Sequence, residues 1–595
     1  MPDDETNRRV LSGNEAIAHG AWAAGVQVAS AYPGTPSTEI LENIAKFSDV
    51  YCEWAVNEKV GMEVAIGASI AGSRALTAMK HVGLNVAMDP LMTFAYIGAN
   101  GGMVVVTADD PGMHSSQNEQ DNRHVARFGK LPMLEPSDSQ ECYDMVRAAI
   151  PMSEEFEVPV LIRTTTRVSH SSGIVDLGEF RRAPASGRKY SKDIARTIPV
   201  PMHARGMRVR LEEKLERLAE HAETSPFERW ERGSRAIGIV ASGIGYAHAR
   251  EAFPDASFLK LGIVYPLPER RIRAFAASVE RLLVVEEGDA FLEEQILALG
   301  IPVERPARSL RIGELDPDRL AALAAAVAGK DAPSPPAPLR GLPPRPPVLC
   351  PGCSHRGVFD SLHRLGATVT GDIGCYSLGA FAPLSAMDTV VCMGASVTAA
   401  HGMEKAGRTG RLAAVIGDST FFHSGITGLL NMVYNRSRGT VVVLDNETTA
   451  MTGHQEHPGT GRTLQGQKTP KVAIEDVARG LGVRRVRVVD PYDLEATHAA
   501  LKEEMDAPEP SVVVCRRPCI LGARVKVEHR YAIDADRCSG CAVCLRLGCP
   551  ALETSEDLAA KTGKPKARIN AVLCAGCGLC VQVCRFDAVR EEARS

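Results

Sequence analysis

Ala413-Ala-Val-Ile-Gly-Asp418-Ser419 and Val441-Val-Val-Leu-Asp445-Asn446-Glu-Thr448, with Asn446 28 residues beyond Asp418, are the stretches from which the fold is read. Each is a short apolar run that stops at residues suited to a tight loop, and a helical stretch separates the two. That grammar belongs to an α/β protein whose strands lie parallel and carry polar loops at their carboxyl ends. The pattern recurs upstream. Val26-Gln-Val-Ala-Ser-Ala-Tyr runs into Pro33-Gly-Thr-Pro and a helical pattern from Ser37; Met103-Val-Val-Val-Thr runs into Asp109-Asp-Pro-Gly; Pro159-Val-Leu-Ile-Arg supplies another strand. A second block follows, with strands at Ala236-Ile-Gly-Ile-Val, Phe258-Leu-Lys-Leu-Gly and Leu282-Leu-Val-Val-Glu. The expected fold class is multidomain α/β, with three parallel-sheet domains and a small α+β domain at the carboxyl end.

Length agrees with several domains: 595 residues suggest about four at roughly 150 residues each. The segments expected are 1–175, a charged connector 176–232 with a surface helix, 233–330, a linker 331–348, 349–526 and 527–595. The linker holds eight prolines between Asp331 and Val348, which favours an extended spacer. Hydrophobic residues at 45%, charged residues at 24% and a net charge of −4 exclude a disordered tail protein and give no sign of a nucleic-acid binder. Met1 to Val10 is charged, and no run approaches about 18 apolar residues, so a cytoplasmic protein without a membrane span is expected. Reducing conditions there favour metal ligation over disulfides for closely spaced cysteines.

Eight of the 16 cysteines lie between Cys538 and Cys584. They read Cys538-x2-Cys541-x2-Cys544-x4-Cys549-Pro and Cys574-x2-Cys577-x2-Cys580-x3-Cys584. In the bacterial ferredoxin run, three closely spaced thiolates hold one cubane and the distal cysteine holds the other. Two [4Fe–4S] clusters are therefore expected, one on Cys538, Cys541, Cys544 and Cys584 and one on Cys574, Cys577, Cys580 and Cys549. Paired C-x2-C motifs also hold zinc; two triplets, each with a distal fourth cysteine, favour the cubanes. Arg585 stands where proline follows the last cysteine in the ferredoxin run, and the first run has one extra residue before Cys549. These differences alter loops and cluster environment rather than ligand number.

The Gly417-Asp418-Ser419 and Asp445-Asn446 loops resemble the thiamine diphosphate motif, in which G-D-G precedes N-N. A hard Mg²⁺ needs several oxygens around one diphosphate, and neighbouring strand ends can deliver them to one point. The resemblance implies Asp418 and Asn446 as side-chain ligands and the Thr448 carbonyl as a third, with Gly417 and Ser419 beside the cofactor. Ser419 replaces the usual second glycine.

Tyr32-Pro-Gly-Thr-Pro-Ser, Glu53-Trp-Ala-Val-Asn-Glu, Met79-Lys-His-Val-Gly-Leu-Asn, Asp109-Asp-Pro-Gly-Met-His-Ser-Ser-Gln-Asn-Glu-Gln, Cys350-Pro-Gly-Cys and Gly417-Asp-Ser-Thr-Phe-Phe-His resemble the alpha subunits of indolepyruvate:ferredoxin oxidoreductases. These belong to the thiamine diphosphate-dependent 2-oxoacid:ferredoxin oxidoreductase family. The resemblance covers most of the chain, in family order. It implies a pyrimidine-binding domain over 1–175, a transketolase C-terminal-like domain over 233–330, a diphosphate-binding domain over 349–526 and a ferredoxin-like 2[4Fe–4S] domain over 527–595. The implied reaction is oxidative decarboxylation of arylpyruvates with coenzyme A, giving aryl-acetyl-CoA, CO₂ and reduced ferredoxin. A smaller beta subunit is implied as partner, with a dimer of heterodimers as the assembly.

Within that resemblance Glu58 takes the place of the glutamate that hydrogen-bonds the aminopyrimidine ring. The plainer reading is an exposed carboxylate at a helix start, for which Glu53 and Glu63 are the simpler candidates; the helical stretch is expected from about Glu53. Thr35 lies where relatives contact substrate, and His81 and His114 are candidate pocket residues, though a lone histidine is as often structural. Cys350, Cys353, Cys375 and Cys519 occupy positions like those of a third cluster beside the thiamine; Cys375 and Cys519 can equally be buried thiols, as Cys52, Cys142, Cys392 and Cys515 are expected to be. Related enzymes for pyruvate and 2-oxoglutarate carry a carboxylate-gripping arginine where this chain has Ala108-Asp109-Asp110. Lys80 or Arg123 is the candidate replacement. Two other readings stay open: the same thiamine chemistry on another 2-oxoacid or without redox, and an iron–sulfur subunit with degenerate cofactor domains.

Overall fold

The computed structural model describes residues 7–305, 308–331, 341–342, 346–522 and 529–593. Most of the expected proline-rich linker lies outside the described residues. The chain forms two compact units, Met1–Leu339 and Arg340–Ser595, and is multidomain α/β.

The first unit contains a seven-stranded sheet in the order Ile263–Tyr265, Met133–Leu134, Val160–Thr165, Met103–Asp109, Ala75–Lys80, Val28–Ala31 and Tyr51–Trp54. Val160–Thr165 and Met103–Asp109 are buried along their whole length, and Ala75–Lys80 up to the half-buried Lys80, as a sheet covered on both faces requires. A four-stranded sheet follows, ordered Leu282–Val285, Ser234–Ser242, Ala256–Leu261 and Arg229–Glu231. Neither sheet is wholly parallel, which corrects the expectation. Ile263–Tyr265 leaves its own block to pair antiparallel with Met133–Leu134, and Arg229–Glu231, inside the expected connector, pairs antiparallel with Ala256–Leu261. The remainder of that connector holds the expected surface helix, Pro201–Thr224. A second correction concerns Glu53, which lies on the strand Tyr51–Trp54; the helix begins at Glu58, where the Asn57 side chain accepts from Val60 N.

The two sheets of this unit are joined by buried charge. Arg163, on the strand Val160–Thr165, is fully buried and donates to Asp109 Oδ2 at 2.6 Å, to Glu135 and to the Glu287 carbonyl. Arg123 is equally buried and binds Asp121, Glu286 at 2.7 Å, and the carbonyls of Glu287 and Asp289. Two guanidinium groups thus bind the four carboxyls of Asp109, Asp121, Glu135 and Glu286, and the Arg163 charge also acts on the Glu287 carboxyl. Burial outweighs them for three, pushing Asp109 up to about 6 and Glu286 and Glu287 up to about 7. Burial opposes the charge on Asp121 too, but Arg123 and Arg163 together hold it well below the usual carboxylate range.

A pH dependence follows from the raised group. Folded carboxyls with raised affinity hold protons that the unfolded chain releases near pH 4.5. Their contribution to stability is fully present below that pH and is lost as pH rises through about 6 to 7. The melting temperature of the full chain is expected to fall between pH 5 and 8, and Glu286→Gln to flatten that slope. A melting temperature that stays level or rises over this range counts against the assignment.

The second unit holds a six-stranded parallel sheet, ordered Thr389–Val390, Thr368–Gly371, Leu412–Gly417, Thr440–Asp445, Ser511–Arg516 and Arg485–Val489. After it come two antiparallel pairs, His529–Ile533 with Val589–Ala593 and Leu552–Leu558 with Pro565–Ile569. The short helices Cys544–Leu547 and Leu579–Val583 accompany them. No helix among the described residues is long and apolar enough to cross a membrane.

Candidate functional site

Leu412–Gly417 and Thr440–Asp445 are parallel neighbours in register Gly417 to Leu444, so both loops emerge at the carboxyl end of the sheet. Asp418 starts a helical segment that passes through a π-turn at Phe421–Gly425 before continuing to Tyr434. Such bulges are common where a helix must fit a site. Asp418 and Asn446 are buried, and Asp418 Oδ1 accepts from Ser419 N at 2.8 Å. The terminal atom of the Asn446 amide lies 3.2 Å from Asp418 Oδ2 and 2.8 Å from the Thr448 carbonyl oxygen. With its nitrogen inward the amide donates to both; with its oxygen inward, three oxygens converge without a proton among them. Adjacent oxygens of a Mg²⁺ octahedron lie about 2.9 Å apart. A carboxylate, an amide and a carbonyl at these separations fit one hard divalent cation.

The surroundings keep the carboxylate in place. His457 Nδ1 accepts from Gly459 N at 3.1 Å, and its Nε2 lies 3.3 Å from Asp418 Oδ2 without a hydrogen bond to it. Thr449 donates to the Ser419 hydroxyl at 2.9 Å, so the serine in place of glycine is a bonded residue. Burial and the like charge of Asp418 push Asp445 up, while Arg516 binds it at 2.7 Å. His355 is buried and pushed down to about 4 by desolvation, so it is neutral at physiological pH.

Cysteines surround this cradle on one side. Cys519 N donates to the Asn446 carbonyl at 2.9 Å. Burial pushes Cys353 up to about 12, with Cys350 and Cys375 contributing, and Cys375 up to about 11, with Cys519 and Cys350 contributing. The four proximal cysteines therefore form one neighbourhood. Gly352, between Cys350 and Cys353, has φ +70°, and a Cβ there would sit 2.7 Å from Ala575. That close approach sets the proximal turn against the tail.

In the tail, one cavity is lined by Cys549, Cys574, Cys577 and Cys580, together with Gly352 and Arg356. Another is lined by Cys538, Cys541, Cys544 and Cys584. These are the two crossed sets read from the spacing. Among the described residues, the one group of three metal-ligating side chains whose ligand atoms all lie within 4.8 Å of one another is Asp121, His124 and Asp289. The Asp121 carboxylate is already spent on Arg123. Of the cysteines expected to be packing residues, Cys52, Cys142 and Cys515 are buried; Cys392 is exposed, a correction, because it sits after the edge strand Thr389–Val390.

In the first unit Glu58 is 5% exposed at its helix start, not a solvated carboxylate. A Cβ at Gly83 would fall 2.7 Å from Glu58 Oε1, so the helix His81–Val86 can carry only glycine there without moving the carboxyl. Lys80 donates to the Ser115 carbonyl at 3.0 Å, and burial lowers its affinity for protons against the pull of Asp110 and Glu58. The Ser115 hydroxyl donates to the Thr35 carbonyl at 3.4 Å, and His81 Nε2 lies 3.0 Å from the Asn118 carbonyl. Thr35, Lys80, His81 and the 115–118 loop are thus brought together. His114 is not among them in the same sense: its half-exposed ring faces Glu314 at 3.5 Å. Arg123 is enclosed by carboxylates, which removes it as a carboxylate-gripping residue. The reading of the sequence missed Asp372, Arg356 and His457. Buried Asp372 accepts from Gly394 N and Ser396 N at 2.9 and 3.0 Å and shapes the turn ahead of the helix Ala395–Lys405; its place in Gly-Asp-Ile-Gly-Cys was the available signal.

Comparison with known proteins fits this geometry. Residues 19–219 match the family described as "Pyruvate flavodoxin/ferredoxin oxidoreductase, thiamine diP-bdg", and residues 372–515 match "Thiamine pyrophosphate enzyme, C-terminal TPP binding domain". The indolepyruvate oxidoreductase subunit IorA of Pyrococcus abyssi is 41% identical, over 98% of this chain and 97% of its own length. The chain belongs to the IorA family. The same subunit from Archaeoglobus fulgidus is 40% identical over 99% of this chain and 98% of its own. The 2-oxoglutarate synthase subunit KorA of Methanothermobacter thermautotrophicus is 26% identical over 50% of this chain and 92% of its own. As a member of the IorA family the chain is part of a thiamine diphosphate-dependent oxidoreductase.

Proposed function

We propose that this chain is the catalytic subunit that oxidatively decarboxylates arylpyruvates of the indolepyruvate and phenylpyruvate type with coenzyme A. The products are aryl-acetyl-CoA and CO₂, and the electrons leave through iron–sulfur clusters to ferredoxin. The observation that carries the reading is the convergence of Asp418, Asn446 and the Thr448 carbonyl, with the proximal cysteines directly behind Asn446. Asp418, Asn446 and Thr448 would hold Mg²⁺ and, through it, the diphosphate beside Gly417 and Ser419. Thiamine diphosphate supplies, when bound, a cationic ring able to accept electrons as a 2-oxoacid loses CO₂. Glu58 would share a proton with the aminopyrimidine, and its burial against Gly83 keeps that carboxyl in one position. Lys80 is the cation for the substrate carboxylate, and Thr35 and His81 line its surroundings.

Cys538, Cys541, Cys544 and Cys584 would hold one [4Fe–4S] cluster and Cys574, Cys577, Cys580 and Cys549 the other, in a ferredoxin-like domain over 527–595. Cys350, Cys353, Cys375 and Cys519 would hold a third. The domain assignments 1–175, 233–330 and 349–526 follow the family's thiamine domains. A smaller beta subunit, assembly as a dimer of heterodimers and a cytoplasmic setting complete the reading.

The test is an anoxic assay of the co-expressed subunits with indolepyruvate, phenylpyruvate, pyruvate and 2-oxoglutarate, using methyl viologen as acceptor, with and without coenzyme A. Arylpyruvates should give the highest kcat/KM, and turnover should require coenzyme A. A preference for pyruvate would sink the substrate assignment. Full clusters without thiamine affinity would favour the electron-transfer subunit instead.

A further inference from the structure

Arg356 opens the helix Arg356–Leu365 and is 1% exposed. Its Nη1 donates to the Leu547 carbonyl, and Nη2 donates to the carbonyls of Leu349 and Cys350 at 2.8 and 3.0 Å. Its Nε has no partner. None of its hydrogen bonds goes to a carboxylate, unlike those of the equally buried Arg123 and Arg163. A guanidinium taken out of water without a counter-charge is strongly unfavourable, so the structure must place an anion near it. The side chain lines the cavity of Cys549, Cys574, Cys577 and Cys580. On its other side it holds the Cys350 carbonyl, three residues before Cys353. Its charge acts on Cys577 and on Cys353 alike.

We propose that Arg356 is a positioning residue for electrons: the counter-charge to the iron–sulfur cluster in the Cys549 set, raising that cluster's reduction potential so that it draws electrons from the cluster that Cys350, Cys353, Cys375 and Cys519 would hold. The inference rests on the cysteine sets holding clusters. A cubane on four thiolates is anionic in its working oxidation states, and charge and solvent exposure set its potential. A fixed positive charge stabilises the reduced form, which carries one more negative charge, more than the oxidised form. The forked guanidinium also ties the 349–350 backbone to Leu547, so one side chain spans the gap between the two sets.

The experiment is an EPR-monitored redox titration of the full chain, purified without oxygen, as wild type, Arg356→Gln and Arg356→Lys, with iron content measured in parallel. Arg356→Gln is expected to lower the potential of the Cys549-set cluster by at least tenfold in its reduction equilibrium, 59 mV for one electron. The Cys538-set cluster should stay put as an internal reference, and Arg356→Lys should stay within tenfold of wild type. Arg356→Gln with full iron and an unmoved potential would overturn the proposal. If Arg356→Gln loses iron, Arg356→Lys decides: full iron with a potential shifted more than tenfold overturns it, and so does loss of iron from both variants, which would assign Arg356 to folding alone. A wild type without cubane signals defeats the cluster reading itself.

Discussion

Asp418→Ala is expected to abolish Mg²⁺-dependent binding of thiamine diphosphate and, with it, turnover of any 2-oxoacid. The carboxylate is the one full negative charge among the three converging oxygens, and its neighbours are arranged around it: Thr448 N at 3.3 Å, His457 Nε2 at 3.3 Å and the Asn446 amide at 3.2 Å all face Oδ2. An amide and a carbonyl alone are neutral donors and hold Mg²⁺ weakly. Removal of residues behind a metal ligand commonly costs 10–100-fold in affinity, and the ligand itself costs at least about 100-fold. Titration calorimetry with thiamine diphosphate and Mg²⁺ measures it directly. Iron in the tail should be unaffected, because neither tail cavity is lined by Asp418. Binding that survives Asp418→Ala would move the cation away from this cradle.

The two strands that carry this cradle were plain in the sequence because each is a continuous apolar run ending in Gly-Asp or Asp-Asn, and local pattern is enough to specify a buried parallel strand. The tail sets were legible for a similar reason, since spacing alone limits which thiolates can meet. Three kinds of feature were not. Ile263–Tyr265 and Arg229–Glu231 pair with partners far away in the chain, and three residues carry no periodicity of their own. The helix at Glu58 starts late because Asn57 caps it, whereas Glu53 and Trp54 look equally helical by composition. Finally, the burial of Arg123, Arg163 and Arg356 has no local signal, Arg123 reading instead as a candidate for the substrate carboxylate; only the packing of distant segments encloses them. The sequence singled out Glu58 by its motif, but not its burial, which depends on Gly83 in another helix.

Arg163→Met is expected to be the most damaging substitution for stability in the unit Met1–Leu339. The methionine fills much of the space but leaves Asp109 and Glu135 without the charge that balances them, and takes away the bond to the Glu287 carbonyl. Breaking a buried pair by removing one partner costs about 3–5 kcal/mol. Asp109 can escape part of that cost by protonation, and it already stands at about 6 with Arg163 present. Without the guanidinium it rises further, and each unit of that rise must be met at pH 8 by about 1.4 kcal/mol of proton uptake. At pH 5 most of the proton is already bound. The destabilisation, followed by differential scanning calorimetry, should therefore be larger at pH 8 than at pH 5, and adding Asp109→Asn should recover part of it at pH 8 only. A loss equal at both pH values would mean that Arg163 contributes through packing and shape, and that its charge is balanced elsewhere.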